Sequence, residues 1–171
     1  IISDKNAHPH ISQSGEICLV HNGIIENYSK LKDFLIKDGF SFYSETDTEV
    51  IVNLIEFNKR NSTIVDAIMT TVRMLEGTYG LAIQCIDNPN NIYLIKNGSP
   101  ILIGENENYL MACSEASGFL NQMKHYYALE NDNLVILSLK EGIISNVIGP
   151  KIKDSNVNNT LTPCPYEHWT M

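Results

Sequence analysis

The sequence has few basic residues and no long apolar run, and each shortage excludes a class of protein. Lysine and arginine number 12 against 20 aspartates and glutamates, which gives a net charge of −8. A chain this acidic is poorly suited to the phosphates of nucleic acid or to an anionic membrane surface. Its apolar runs are far shorter than the roughly 20 residues that cross a bilayer. We therefore expect neither a nucleic-acid partner nor a membrane partner.

Cysteine is also scarce, and no Cys-x-x-Cys pair occurs. A chain of 171 residues can bury a core without a disulfide framework. We therefore predict free thiols and a location in the reducing cytoplasm. His8 and His10 lie close together, but no third and fourth ligand follow at a useful spacing, so no metal site is predicted. The four cysteines are Cys18, Cys85, Cys113 and Cys164.

The first polar signature, His21-Asn22-Gly23, follows a short apolar run that is typical of a strand. Asn-Gly before a pair of isoleucines is the strongest short-range signal for a two-residue hairpin turn, and composition alone favours that turn. The alternative interpretation is functional. The Asn22 amide and the backbone N–H of Gly23 are two donors, and glycine lets its N–H approach a ligand without an obstructing Cβ. Two such donors can hold a developing oxyanion.

The second signature, SETDTE at residues 44–49, also has two interpretations. Thr46 with Glu49 three residues later fits a capping box, and Asp47 in the first turn suits the helix dipole. Apolar residues then recur at helical spacing from Val50 onward. Alternatively, the Asp47 carboxylate lies at the mouth of a site and pairs with a substrate ammonium group.

Periodicity predicts helices first and strands afterwards, which indicates an α+β layered domain. One helix is predicted from Asn27 to about Asp38, one from Asp47 to the polar cluster at 58–62, and one from Ser62 or Thr63 to Gly77. A strand-like run at 40–43 and a short helix over 115–122 are also predicted. Seven further strands are predicted at 78–86, 91–96, 100–103, 109–113, 126–129, 134–139 and 143–147.

The motifs HPH, HNGIIENY and SETDTEVI occur in this order along the chain. Together they resemble the glutaminase domain of the glutamine–fructose-6-phosphate aminotransferases. Those domains are class II glutamine amidotransferases, which are N-terminal-nucleophile hydrolases. GTYG at 77–80, KNGSP at 96–100 and HWTM at 168–171 extend the resemblance over nearly the whole chain. The resemblance implies a four-layer αββα sandwich with antiparallel sheets, which agrees with the α+β prediction.

The activity implied by the resemblance is release of ammonia from glutamine, which is then used to make glucosamine 6-phosphate. In that family a thiolate attacks the amide, and Asn22 and Gly23 would form the oxyanion hole. Asp47 would bind the glutamine ammonium, while Thr46 and His8 would shape the pocket. No cofactor and no metal are implied. The alternatives are another class II amidotransferase or a non-catalytic glutamine-binding fragment.

The resemblance also predicts how the chain is divided. Residues 1–149 are expected to be part of the glutaminase domain. Residues 150–171, which are polar and then proline-containing, are expected to be a linker toward a sugar-isomerase domain of the same parent chain. The family nucleophile is a cysteine at the mature N-terminus, whereas this chain begins with Ile1 and none of its cysteines is terminal. The chain alone is therefore expected to be inactive. A homo-oligomer is expected.

Overall fold

A layer of three helices precedes most of the strands in the chain. The computed structural model describes residues 3–120, 122–123, 125–145 and 161–163. The helices are α1 (Tyr28–Lys37), α2 (Asp47–Lys59) and α3 (Ile64–Met74). Short 3₁₀ turns lie at Asp4–Asn6 and Ala116–Phe119, the second of them inside the segment where a short helix is predicted. The three predicted α-helices are confirmed, with ends shifted by at most a few residues.

Two antiparallel sheets make up the rest of the described structure. Their strands are β1 (His10–Ile11), β2 (Ile17–Ile25), β3 (Gly77–Cys85), β4 (Asn91–Asn97), β5 (Leu102–Glu105), β6 (Leu110–Cys113), β7 (His125–Ala128), β8 (Val135–Ser138), β9 (Gly142–Ser145) and β10 (Leu161–Pro163). Sheet A has the order β1-β2-β3-β4-β8-β9, and sheet B has the order β10-β7-β5-β6. The α+β class with antiparallel sheets is confirmed.

Side-chain alternation along the strands of sheet A builds a helix–sheet–sheet stack. In β4, Tyr93 and Ile95 pack in one core with residues of α2 and α3, among them Ile55 and Ile68. Leu94, which lies between them in sequence, packs in the second core with residues of sheet B. These are three layers of the predicted αββα sandwich. In the described part of the chain, residues of the 3₁₀ turn at Ala116–Phe119 and Met123 pack against the outer face of sheet B.

The hairpin predicted at Asn22-Gly23 is wrong. β2 continues straight through the pair and stays in register with β3, with Asn22 opposite Gly80 and Gly23 opposite Tyr79. Gly23 has φ +128°, and a Cβ at this position would lie 2.2 Å from the carbonyl oxygen of Thr78. The glycine therefore permits a close approach of two strands rather than a turn. Pairing with a strand more than 50 residues away overrides the local turn signal.

Two other local predictions also need correction. The run at 40–43 is not a strand: the Phe40 N–H donates to the Leu35 carbonyl, and the N–H groups of Ser41 and Tyr43 donate to the side chains of Gln13 and Glu49. Asn27 precedes α1 as predicted, but its side chain does not cap that helix. Its amide instead donates to the carbonyl of Met74 and accepts from the N–H of Glu76, which ties α1 to the end of α3.

The predicted linker, residues 150–171, lies mostly outside the described residues. Within it, Leu161–Pro163 forms β10 and pairs with β7, so this part of the segment belongs to sheet B. The other residues of the segment, including Cys164 and the HWTM motif, lie outside the described part of the chain. The domain boundary at 149 stays a prediction.

Candidate functional site

The Asn22-Gly23 pair lies beside an open edge of sheet A. β1 pairs with only two residues near the start of β2, so no described strand covers the rest of β2 on that side. The N–H groups of Ile24 and Glu26 face the β3 side, where they donate to Thr78 Oγ1 and to the carbonyl of Glu76. Because N–H direction alternates along a strand, the N–H of Gly23 faces the open edge.

Asp47 marks the same open edge. Its Oδ2 accepts a hydrogen bond of 2.9 Å from the N–H of Ile25, two residues beyond Gly23. Its Oδ1 lies 3.7 Å from Nδ1 of His21, and about a fifth of the side chain is exposed. One carboxylate oxygen, Oδ2, is therefore fixed by a hydrogen bond, while part of the side chain is exposed to solvent. The start of α2 thus brings a negative charge to the strand edge where Gly23 presents its N–H.

A cavity of about 260 Å³ opens between the two sheets next to this edge. Its polar lining includes His8, His21 and Asn22, and its apolar lining comes from β2, β3, β4 and the chain around Pro100. The Asn22 side chain is exposed and has no hydrogen-bond partner among the described residues. An amide that can turn toward the cavity without breaking another bond is available to a ligand.

Thr46 and Glu49 fix the start of α2. Thr46 Oγ1 accepts from the N–H of Glu49 at 3.4 Å, which confirms Thr46 as the N-cap. The reciprocal half of the predicted capping box is wrong, because the Glu49 carboxylate accepts from the N–H groups of Tyr43 and Ser44 and from the Ser44 hydroxyl. Thr46 Oγ1 also contacts Ser44 Oγ and His10 Nε2. The Thr46 hydroxyl therefore joins the start of α2 to Ser44 and to His10 of β1.

Two further residues, Thr48 and His21, lie between Asp47 and His8, and the sequence analysis assigned no role to either. Thr48 Oγ1 lies 3.2 Å from His21 Nδ1 and 3.3 Å from His8 Nε2, and both Thr48 and His21 are buried. The two residues are adjacent to predicted ones, yet a threonine at the start of a helix is common for local reasons. The only sequence signal is their position inside the two signatures.

Burial sets the charge state of two of these histidines. Desolvation lowers the pKa of His21 below its ordinary value, against the opposing effects of the Asp47 charge and the Thr78 backbone. Desolvation and the neighbouring His8 lower the pKa of His10. Both rings are therefore neutral at pH 7. The Nε2 atom of His21 is buried and has no hydrogen-bond partner among the described residues.

Comparison with known proteins identifies the family. A family model described as a glutamine amidotransferase domain matches residues 1–121, well over half of the chain. The chain belongs to the glutamine amidotransferase family. The predicted membership is thus confirmed. The residues of this amidotransferase domain that line the open edge, Asn22, Gly23 and Asp47, all lie inside the matched range.

Curated relatives of this amidotransferase chain are named glutamine–fructose-6-phosphate aminotransferase [isomerizing]. The protein from Caldanaerobacter subterraneus subsp. tengcongensis is 41% identical over 155 residues, covering 90% of this chain and 25% of the relative. The protein from Clostridium tetani is 38% identical over 141 residues, covering 82% of this chain and 23% of the relative. The chain therefore spans about a quarter of the length of these relatives.

A solved structure supports the same fold. The glutamine phosphoribosylpyrophosphate amidotransferase from B. subtilis superimposes with a TM-score of 0.74 at 26% sequence identity. The match covers 87% of this chain and 33% of that one. The amidotransferase fold implied by the resemblance is confirmed by this likeness.

Two further findings concern the described residues alone. None of their helices is long and apolar enough to cross a membrane. Within the same ranges, no group of three or more histidine, cysteine, aspartate or glutamate side chains is arranged to hold a metal ion.

Proposed function

We propose that this chain is the glutamine-binding part of a glutamine–fructose-6-phosphate aminotransferase, in which it releases ammonia from glutamine. The observation that carries the proposal is the open edge of β2. There the Gly23 N–H and the Asn22 amide lie two and three residues before Ile25, whose backbone N–H donates to the Asp47 carboxylate. Donors for an oxyanion and an acceptor for an ammonium group are thus presented on one edge.

In the proposed reaction a thiolate attacks the side-chain amide carbon of glutamine. The C=O electron pair moves to oxygen, and the oxyanion is held by Asn22 Nδ2–H and Gly23 N–H. The C–N bond then breaks, nitrogen leaves as ammonia after gaining a proton, and water hydrolyses the thioester to glutamate. Asp47 holds the substrate ammonium, while His8 lines the cavity and Thr46 fixes the element that carries Asp47.

We infer that none of the three described cysteines supplies the thiolate. Burial raises the pKa of Cys85 and of Cys113, which keeps both thiols protonated at neutral pH. Cys113 lines the cavity, yet within the described residues no base lies in hydrogen-bond range of Cys18, Cys85 or Cys113. This supports the N-terminal cysteine of the parent protein, implied by the resemblance, as the nucleophile.

The acceptor of the ammonia is proposed from the relatives. Because the curated relatives carry the fructose 6-phosphate name and are 38% to 41% identical, a sugar-isomerase domain of the same parent protein is the proposed partner. The alternative is another amidotransferase, since the phosphoribosylpyrophosphate enzyme shares the fold at lower identity. Supplying the parent protein with each acceptor in turn separates the two. Homo-oligomerisation and a cytoplasmic location stay predictions.

The substitution Asp47→Asn tests the ammonium site. The amide oxygen of the new side chain can still accept from the Ile25 N–H, so the fold should survive, but the charge is lost. We expect the glutamine KM of the parent protein to rise roughly 10- to 100-fold, since a hydrogen bond to a charged group contributes about 1.5–3 kcal/mol. Steady-state kinetics with glutamine and a melting curve give both quantities.

The matched control for this substitution is Asp66→Asn. Asp66 occupies the first turn of α3 and contacts Thr63. Like Asp47, it is an acidic residue at the start of a helix, but it does not contact the open edge of β2. It should cost stability on the order of 1 kcal/mol or less and leave KM unchanged. If Asp47→Asn behaves like Asp66→Asn in both measurements, Asp47 acts only at the helix start.

A further inference from the structure

Two histidine side chains from different parts of the chain meet at the hydroxyl of Thr48. His21 approaches from β2 with Nδ1 at 3.2 Å, and His8 approaches from the loop before β1 with Nε2 at 3.3 Å. Thr48 lies in the first turn of α2 and is only 3% exposed. A hydroxyl has one proton to donate and two lone pairs, so it donates to at most one of these rings. If it accepted from both, its own buried proton would have no acceptor among the described residues, so it donates to one ring and accepts from the other.

The surroundings of His21 determine which atom donates in each of these two hydrogen bonds. Asp47 Oδ1 lies 3.7 Å from Nδ1 of His21, so a proton on Nδ1 is attracted to the carboxylate, whereas a lone pair there would be repelled. The opposite tautomer would also place an N–H on Nε2, which is buried and makes no hydrogen bond to any described residue, the Thr78 backbone near the ring included. An unsatisfied buried donor destabilises the folded state. The neutral ring therefore carries its proton on Nδ1.

The hydrogen bonds then follow in one direction. His21 Nδ1–H donates to Thr48 Oγ1, and Thr48 Oγ1–H donates to Nε2 of His8. His8 must accept at Nε2, so its own proton lies on Nδ1. The other charged or titratable groups around the cluster are Glu49 on α2 and His10 on β1, and each has its own partners. His10 also contacts the His8 ring edge-on, with ring centroids 5.4 Å apart.

We propose that Thr48 is a positioning residue that orients the His8 imidazole and fixes its tautomer at the wall of the glutamine cavity. The inference rests on the proposed function, because the ligand that meets His8 there is taken to be glutamine. His8 lines the cavity together with Asn22. With Nε2 occupied by Thr48, the ring keeps its Nδ1–H as a donor for the ligand.

The tautomers are tested directly by nitrogen NMR on the 171-residue chain labelled with ¹⁵N-histidine. We expect His8 and His21 both to show a protonated Nδ1 and an unprotonated Nε2 at neutral pH. Thr48→Ser, which keeps the hydroxyl, should preserve the His8 signals, whereas Thr48→Val should move His8 toward protonation at Nε2. A wild-type His8 that carries its proton on Nε2 would overturn the proposal, whether or not any variant folds.

The consequence for glutamine is tested by kinetics on the parent protein. We expect Thr48→Val to raise the glutamine KM up to about 10-fold, because one neutral hydrogen bond contributes roughly 0.5–1.5 kcal/mol, with a much smaller change in kcat. Thr48→Ser should restore a KM close to that of the wild type. Equal KM values for the valine and wild-type proteins, or equal damage from serine and valine, would overturn the positioning role.

A matched control and the wild-type enzyme separate the possible failures. Thr71 is a fully buried threonine in α3 whose hydroxyl accepts from Asn58, far from the cavity in the chain and on another helix. Thr71→Val should lower the melting temperature in the same way as Thr48→Val but leave KM unchanged. If the wild-type parent protein hydrolyses no glutamine, the proposed function fails, and the histidine tautomers still decide whether Thr48 connects the two rings.

Discussion

Replacing Asn22 with alanine in the parent protein is expected to lower kcat for glutamine hydrolysis roughly 10²- to 10³-fold, about 2.7–4 kcal/mol. The amide is one of two donors proposed for the oxyanion, and a donor that acts mainly on the developing charge changes kcat more than KM. Folding should be preserved, because the side chain is exposed and has no hydrogen-bond partner among the described residues. Steady-state kinetics and a melting curve on the same preparation measure both effects.

A second variant, Asn22→Asp, tests whether the side chain must donate a hydrogen bond. The aspartate has nearly the same shape, but it replaces the N–H donor with an acceptor oxygen that repels an oxyanion. Its kcat should fall at least as far as that of the alanine variant, while stability again changes little. If either variant unfolds and its remaining folded fraction keeps full kcat, Asn22 acts in strand pairing and the oxyanion role is wrong.

Gly23→Ala is expected to cost about 2–5 kcal/mol of unfolding free energy, because backbone strain and a steric clash add at this position. The backbone of Gly23 has φ +128°, which a residue with a Cβ rarely adopts. An added Cβ would also lie 2.2 Å from the Thr78 carbonyl oxygen, so β2 and β3 would have to separate. Separation would displace the Gly23 N–H, and glutamine hydrolysis by the remaining folded protein should fall as well.

Gly39→Ala is the matched control for the clash. Gly39 also has a positive φ, of +95°, but a Cβ there would meet nothing within 4 Å. This substitution therefore measures the backbone strain alone, about 1–2 kcal/mol. Chemical denaturation of the two variants gives the difference. Equal losses would show that β2 tolerates a side chain at residue 23, and the close strand approach would then carry no functional constraint.

Local patterns in the sequence predicted the elements whose cause is local. The apolar spacing from Val50 onward and the Thr46 cap predicted α2, and Thr63 with its first turn predicted the start of α3. The short runs after Gly77, separated by turn residues, predicted β3 to β9, whereas β10 lies in the segment predicted as a linker. In each case the residues that decide the structure lie within a few positions of one another, so the pattern carries the information.

The hairpin error and the missed contacts of Thr48 concern segments that are distant in the sequence. Asn22-Gly23 has the composition of a turn, and its placement within a strand depends on β3, which follows more than 50 residues later. The Glu49 error has a local cause: its carboxylate accepts from the backbone N–H groups of Tyr43 and Ser44, a few residues earlier, and so does not complete the capping box. The links from His21 through Thr48 to His8 require β2, α2 and the first loop to be packed together, and no local pattern encodes that meeting.

A crystal structure of the parent protein with bound glutamate, the product of the proposed hydrolysis, tests the central claim most directly. We predict that an oxygen of the side-chain carboxylate lies within hydrogen-bond distance of both Asn22 Nδ2 and the Gly23 N–H. The ammonium group should contact Asp47 at the open edge of β2. Glutamate bound away from this edge, or bound there with its ammonium group turned away from Asp47, would contradict the account.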